Sequence, residues 1–295
     1  ASRPGRHAAP CRLAQTLGIT STHFDASTMN SAARFAFFVD GSNLMGSLKR
    51  LGAEVDDYGR FFQYLFTETV DLWRGSFFES GSASARLLRV NWYEVGSMDS
   101  WALEDPGVEQ PLKQAFGRDN ELKRSFMSLA GQQAQGVTQA QLFEDAWRLC
   151  YTEVKTWYEA KRRTLDGIHR FHYGVQAETD FIDIVECGHW KLDLLNRRTQ
   201  EKGLDTRLAV DMVTQVANYD VAILVSGDAD AIPSLNHIKR EGKQVCVIEF
   251  IKGYPPEDRG RQSSSRLKVA ADFVTRIYEM DLVRQGLARS VSAAQ

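Results

Sequence analysis

The stretch Ala222–Leu235 reads AILVSGDADAIPSL, and its interpretation decides the fold. Together with Val221 it opens on an uninterrupted apolar run, Val221–Val225, which suits a central strand of a parallel sheet covered on both faces. The run stops at Ser226-Gly227-Asp228-Ala229-Asp230. Pro233 then fits the first turn of a helix, Lys239 and Arg240 fall in its last turn, and Gly242 ends it. Gln244–Phe250 is a second apolar run, so the segment reads as strand, acidic turn, helix, strand.

The same grammar recurs upstream. Phe35–Val39 ends in Asp40-Gly41-Ser42-Asn43, after which Leu44, Leu48 and Leu51 keep helical spacing up to Gly52, a fitting residue just past a helix end. Tyr58–Trp73 repeats apolar residues every three or four positions and reads as an amphipathic helix closed by the Gly/Ser stretch around Ser80–Ser84. Arg86–Val95 and Phe181–Cys187 read as further strands, and Leu204, Leu208, Met212, Val213 and Val216 line one helical face. Alternating strands and helices predict an α/β fold, a doubly wound parallel sheet, in which ligands bind outside the carboxyl ends of the strands. Asp40 and the pair Asp228 and Asp230 occupy that edge.

Between these units, Ser97 to about Leu165 is polar with helical spacing and no strand run, which predicts a mainly helical insertion over 97–179 within a domain formed by 29–96 and 180–285. Gly253–Arg266 reads as a surface loop, Leu267–Val283 as a last helix and 286–295 as a flexible tail. Residues 1–28 read as a disordered leader before Met29, although their composition also fits an organellar transit peptide.

Of the 295 residues, 43% are apolar and 25% charged, as in an ordinary globular protein. The formal net charge of -2 gives no global basic field, so a nucleic-acid partner must be met by a local patch. Cys11, Cys150, Cys187 and Cys246 are widely spaced and read as reduced thiols of a cytoplasmic protein. No apolar run approaches the roughly 20 residues that span a bilayer, which predicts no membrane partner. A homo-oligomer is left open.

Asp40, Asp205, Asp228 and Asp230 form a set of carboxylates that parallel topology can gather. Such groups repel one another and are tolerated mainly when cations neutralise them. Oxygen-only donors select Mg²⁺ or Mn²⁺, and the six histidines show no zinc-type spacing to compete with that assignment. Metal-dependent phosphodiester hydrolysis needs no histidine base. No G-x-G-x-x-G follows the first strand and no D-x-D-x-T is present, which disfavours dinucleotide-binding and dehalogenase-like phosphatase readings. A non-catalytic nucleic-acid-binding or adaptor protein is the alternative.

The set FFVDGSNL (37–44), EKGLD followed by TRLAVDMV (201–213), AILVSGDADAIPSL (222–235) and EGKQVCVI (241–248) resembles the NYN-domain family of PIN-like ribonucleases, in its LabA-like branch. SSSRLKVAADFV, 263–274, is similar to that branch's closing helix. The resemblance covers roughly 33–96 and 180–285. It implies a divalent-metal-dependent endoribonuclease in which Asp40, Asp205, Asp228 and Asp230 stand at the metal-binding acids and Asn43 at the Asn of D-x-x-N. Ser226 would hold the loop or a ligand, and Lys202 would contact the scissile phosphate. The chain departs from the family at Ala231, where Phe is common, and in the length of its helical segment.

Each of these residues also has a plainer reading. A single Asp at a strand end is most often a helix cap, and Lys202 can be a solvated lysine before a turn glycine. Asp211, six positions after Asp205, does not share its helical face and reads as structural. Arg259, Arg261 and Arg266, and separately Lys161, Arg162, Arg163, Arg170 and His172, are candidate nucleic-acid patches. Trp73, Trp92, Trp147 and Trp157 read as core, whereas Trp101 and Trp190 sit in polar surroundings suited to base stacking.

Overall fold

The computed structural model describes residues 32–77, 83–133, 138–255 and 264–290. The elements run β1 (Ala33–Asp40), α1 (Gly41–Leu51), β2 (Ala53–Val55), α2 (Tyr58–Phe77), β3 (Ala85–Met98), α3 (Pro106–Arg118), α4 (Asn120–Gln133) and α5 (Gln139–Glu178). They continue with β4 (Ile182–Asp193), β5 (Arg198–Lys202), α6 (Leu204–Thr214), β6 (Val221–Val225), α7 (Ile232–Arg240), β7 (Gln244–Ile251), α8 (Ser265–Ala270), β8 (Phe273–Tyr278), α9 (Glu279–Arg284) and β9 (Ala288–Ser290).

Seven strands form one sheet in the order β5-β4-β3-β1-β6-β7-β8. Every neighbouring pair is parallel except β4 with β5. The chain leaves β1 toward β3 and β4 on one side, then returns to β6, β7 and β8 on the other. The β1–β6 boundary is therefore the topological switch point, where the carboxyl ends of an open sheet leave a crevice. Val39 pairs with Val225 there, so Asp40 and Ser226 leave adjacent strands at the same level.

Both faces are covered. One core joins Phe35, Phe37, Val39 and Ile223 to α1 and α2 through Leu44, Leu48, Phe61, Phe62 and Leu65. The other joins Phe38, Leu224 and Val247 to Leu204, Leu208 and Met212 of α6 and Leu235 and Ile238 of α7. β1 and β6 are buried almost throughout, which is why their sequences lack alternation. Gly52, at φ 71°, closes α1 by donating to Leu48 and Lys49 carbonyls, the left-handed cap its position suggested.

Residues 99–131 and 138–181 contain no strand. A third core, including Phe116, Phe126, Trp147, Tyr151 and Val154, holds α3, α4 and the first part of α5 together and reaches Leu192 and Trp190 of β4. The far half of the 40-residue α5 packs on the sheet, with the Phe171 and His172 rings against Trp92.

Several expectations are corrected. Leu267–Val283 is not one helix but α8, strand β8 and α9. Phe273, Thr275 and Ile277 are buried while Val274, Arg276 and Tyr278 are more exposed, a period of two that lets β8 complete the open edge of β7. In the segment read as a flexible tail, Ala288–Ser290 form β9 and pair with β2, a strand the sequence reading missed; 291–295 lie outside the described residues. β5 was also unread, because it alternates without apolar residues at the sheet edge. The leader 1–28 lies outside the described residues, as does most of the Gly/Ser stretch around Ser80–Ser84. Among the described residues no helix is long and apolar enough to cross a membrane.

Candidate active site at the switch point

Asp40 ends β1 and caps α1. Its side chain accepts the Asn43 backbone N–H at 2.9 Å and also the Asn43 side-chain amide. Asn43 Oδ1 in turn accepts the Gly227 N–H at 3.3 Å, so the amide bridges β1 to the loop after β6. Ser226, buried at the end of β6, donates to Asp40 Oδ2 at 3.3 Å and accepts the Asp228 N–H at 3.1 Å. Asp228 accepts the Asp230 N–H at 3.0 Å and so caps the short 3₁₀ turn Ala229–Ala231. Asn43, Ser226 and Gly227 also line a recess of about 10 Å³ above Ile248 and Phe250, room for about one water.

Asp205 lies in the first turn of α6, directly after Gly203 at φ 89°, a left-handed conformation that reverses the chain between β5 and the helix. The carboxyl of Asp205 is raised by burial of its surroundings and then by the charges of Asp40, Asp228 and Asp230. Burial also raises the almost fully buried Asp40 carboxyl, against the lowering hydrogen bonds from Asn43 and Ser226, and the charge of Asp228 adds to the rise. Asp205 thus senses acids from two other chain segments, and Asp40 senses Asp228. Capping and clustering coexist here: Asp40 and Asp228 are helix caps and members of the acid group at once.

The structure adds two acids that the sequence reading passed over. Glu201 on β5 accepts the Ser42 hydroxyl at 2.8 Å; burial raises its carboxyl, with Asp40 and Asp205 adding to the shift. Glu94 follows Tyr93, the β3 partner of Asp40, and is 6% exposed. Burial pushes its carboxyl up to about 7, against a hydrogen bond from Val95 N–H, with Glu201 and Asp40 adding to the rise. A signal for Glu94 existed: it is the one acid in an otherwise apolar strand end, VNWYEV. For Glu201 the signal was its place directly before Lys202.

Gly41 shows how tightly this corner is built. A Cβ on it would lie 2.3 Å from Glu94 Oε2, 2.5 Å from Trp92 Nε1 and 2.8 Å from the Tyr93 carbonyl. His172 of α5 stands 3.6 Å from Glu94 Oε2 and is 2% exposed, with burial lowering its imidazole to about 4. It is therefore a neutral core histidine rather than part of a surface patch. Arg162 is paired with Glu159, while Arg163 and Arg170 are exposed.

Of the substrate-facing candidates, Lys202 is exposed at the end of β5 and, among the described residues, carries no ion pair. Arg266 is exposed in the first turn of α8, whose preceding Ser264 N–H donates to the Gly227 carbonyl at 3.3 Å and so sits beside the acid loop. Lys268 of α8 pairs with the buried Glu249 of β7 and fixes that helix. Arg259 and Arg261 lie outside the described residues. Asp211 is structural as read, accepting the Tyr93 hydroxyl at 3.1 Å and Arg207 at 2.9 Å. Trp101 is 37% exposed, whereas Trp190 and Trp157 are half-buried against the helical core.

Among the described residues, no three His, Cys, Asp or Glu side chains stand close enough together to hold one ion. Asp40 and Asp228 instead accept the hydrogen bonds of their own caps. The donor set still fits a hard divalent cation in kind, being all oxygen, and a cation would relieve the repulsion that Asp205 feels from Asp40, Asp228 and Asp230.

A largely parallel α/β sheet flanked by helices, with acids beside its switch point, is consistent with a PIN-like α/β fold. Residues 132–277, just under half of the chain, match the NYN domain family, which supports a nuclease function in general. The match takes in α5, Lys202, Asp205, Ser226, Asp228 and Asp230, and leaves Asp40 and Asn43 outside it. No curated protein sequence matches the chain. Among solved structures it is similar to a protein of unknown function from Vibrio parahaemolyticus RIMD 2210633, at 17% identity and a TM-score of 0.36 over 83% of this chain and 93% of that one.

Proposed function

We propose that this protein is a divalent-metal-dependent endoribonuclease, with Mg²⁺ or Mn²⁺ held by Asp40, Asp205, Asp228 and Asp230. The observation that supports the reading is that Ser226 ties Asp40 to the Asp228 loop across the switch point, with Asp205 feeling the charges of Asp40, Asp228 and Asp230. When bound, the cation neutralises phosphate charge and makes water a competent nucleophile near neutral pH.

The chain's own residues supply the setting. Asn43 and Ser226 hold Asp40 and the Asp228 loop in register, so two acids from neighbouring strands keep a fixed separation. Lys202, at the end of β5 before Asp205, and Arg266, in the first turn of α8, would meet phosphate oxygens, and Arg259 and Arg261 are candidates for the same role. A non-catalytic nucleic-acid-binding protein is the second reading, favoured by the lack of a preformed three-carboxylate group among the described residues.

The test is incubation of the purified full chain with labelled RNA and DNA panels in Mg²⁺, Mn²⁺ or EDTA, beside Asp228→Asn. RNA cleavage that needs the metal and vanishes in the variant supports the reading. Binding without cleavage in any metal establishes the alternative. Cleavage that persists in EDTA removes the metal from the mechanism.

A further inference from the structure

Lys161, on α5, lies over two tryptophan rings at once: its ammonium is 5.9 Å from the centre of Trp157 and 5.5 Å from that of Trp190. Some cations in and beside the helical segment are matched by acids. Lys113 pairs with Glu144, Lys155 with Glu104, Arg162 with Glu159 and Arg197 with Glu153. Lys161 has no such partner among the described residues, and its charge is held by aromatic faces instead.

Its location links it to the acids. Trp190 of β4 pairs directly with Glu201 of β5, and opposed residues of an antiparallel pair share a face with Cβ atoms about 5 Å apart. Glu201 accepts the Ser42 hydroxyl, two residues after Asp40. Lys161, Trp190, Glu201, Ser42 and Asp40 therefore form a continuous path across the β5 side of the sheet edge. The positive charge at one end of that path suits a phosphate of an anionic chain, and the carboxylates at the other end accommodate one with a cation between them.

We infer that Lys161, seated on Trp157 and Trp190, is a backbone-phosphate contact for a single-stranded nucleic acid whose next segment crosses the acid crevice. The inference rests on the nuclease reading above for its partner. Near-neutral overall charge makes each preorganised cation count, because no broad basic field does the work. The rings restrict the long lysine side chain before binding, so less freedom is lost when it meets a phosphate.

The test is binding of a short labelled oligouridylate to the full chain in EDTA, followed across a salt series. Each phosphate contact to a single strand contributes about 0.7 to the slope of log K against log salt. Lys161→Met keeps the apolar stem on the rings and should lower that slope by about one such step, and Lys161→Arg should restore it. Lys161→Gln with an unshifted melting temperature guards against a folding defect. If the wild type binds the oligonucleotide and both neutral variants keep its slope and affinity, Lys161 is only surface packing. If the wild type binds no single strand at all, this inference is overturned, while the nuclease reading is decided separately by cleavage in Mg²⁺ or Mn²⁺.

Discussion

The Ser226 hydroxyl stands 3.3 Å from Asp40 Oδ2, joining the ends of β1 and β6 across the switch point. The same oxygen accepts the Asp228 N–H, so one buried side chain sets the spacing of two acids. Ser226→Ala strips a donor from a buried carboxylate and an acceptor from a backbone N–H. We expect a stability loss of about 1–3 kcal/mol in denaturant unfolding, with a fall in cleavage rate at saturating metal. Unchanged cleavage in a variant shown to be destabilised would confine Ser226 to folding.

Asp228→Asn should separate folding from activity. Asn caps a helical turn about as well as Asp, so the bond to Asp230 N–H survives. One negative charge leaves the acid group, which lowers repulsion on Asp40 and Asp205. The melting temperature without metal should hold or rise while nuclease activity falls by orders of magnitude. An unfolded variant would make Asp228 a structural cap alone.

Glu94 gives a signed pH dependence. Its folded carboxyl is raised from 4.5 to about 7, so the folded state binds the proton more tightly. The associated stability is fully present below pH 4.5 and is lost as pH rises through about 7. At about 1.4 kcal/mol per pH unit, the loss amounts to roughly 3 kcal/mol. Glu94→Gln should flatten that slope, gaining on the wild type between pH 5 and pH 8 in urea titrations. Parallel wild-type and variant profiles would show that Glu94 does not titrate in this window.

Gly41→Ala runs against helix propensity. Alanine favours a helix interior by roughly 1 kcal/mol over glycine, yet here the added methyl meets Glu94, Trp92 and the fixed Tyr93 carbonyl, all closer than 3 Å. Overpacking should outweigh propensity and destabilise by about 1–3 kcal/mol. A rise in unfolding midpoint would mean that the corner is looser than these distances imply.

The amino-acid sequence by itself determined the strands that end in acid, β1 and β6, and the helices that follow them. Apolar runs, caps and turn glycines are local signals, and Asp40, Asn43, Asp228 and Gly52 sit where those signals put them. The membership of Asp40 in a group with Asp205, Asp228 and Asp230 was legible only through family likeness, since their separation along the chain says nothing of distance. Tertiary structure alone decided the rest. Leu267–Val283 satisfies a helical period, but the open edge of β7 could pair with Phe273–Tyr278 and drew it into a strand. Glu201 reached the acids because β5 folds back beside β4, Glu94 because Asp40 registers with Tyr93, and His172 became core because α5 lies over Trp92. Local periodicity encodes an element; register and neighbours are set by long-range pairing and burial, which act only once the chain has closed on itself.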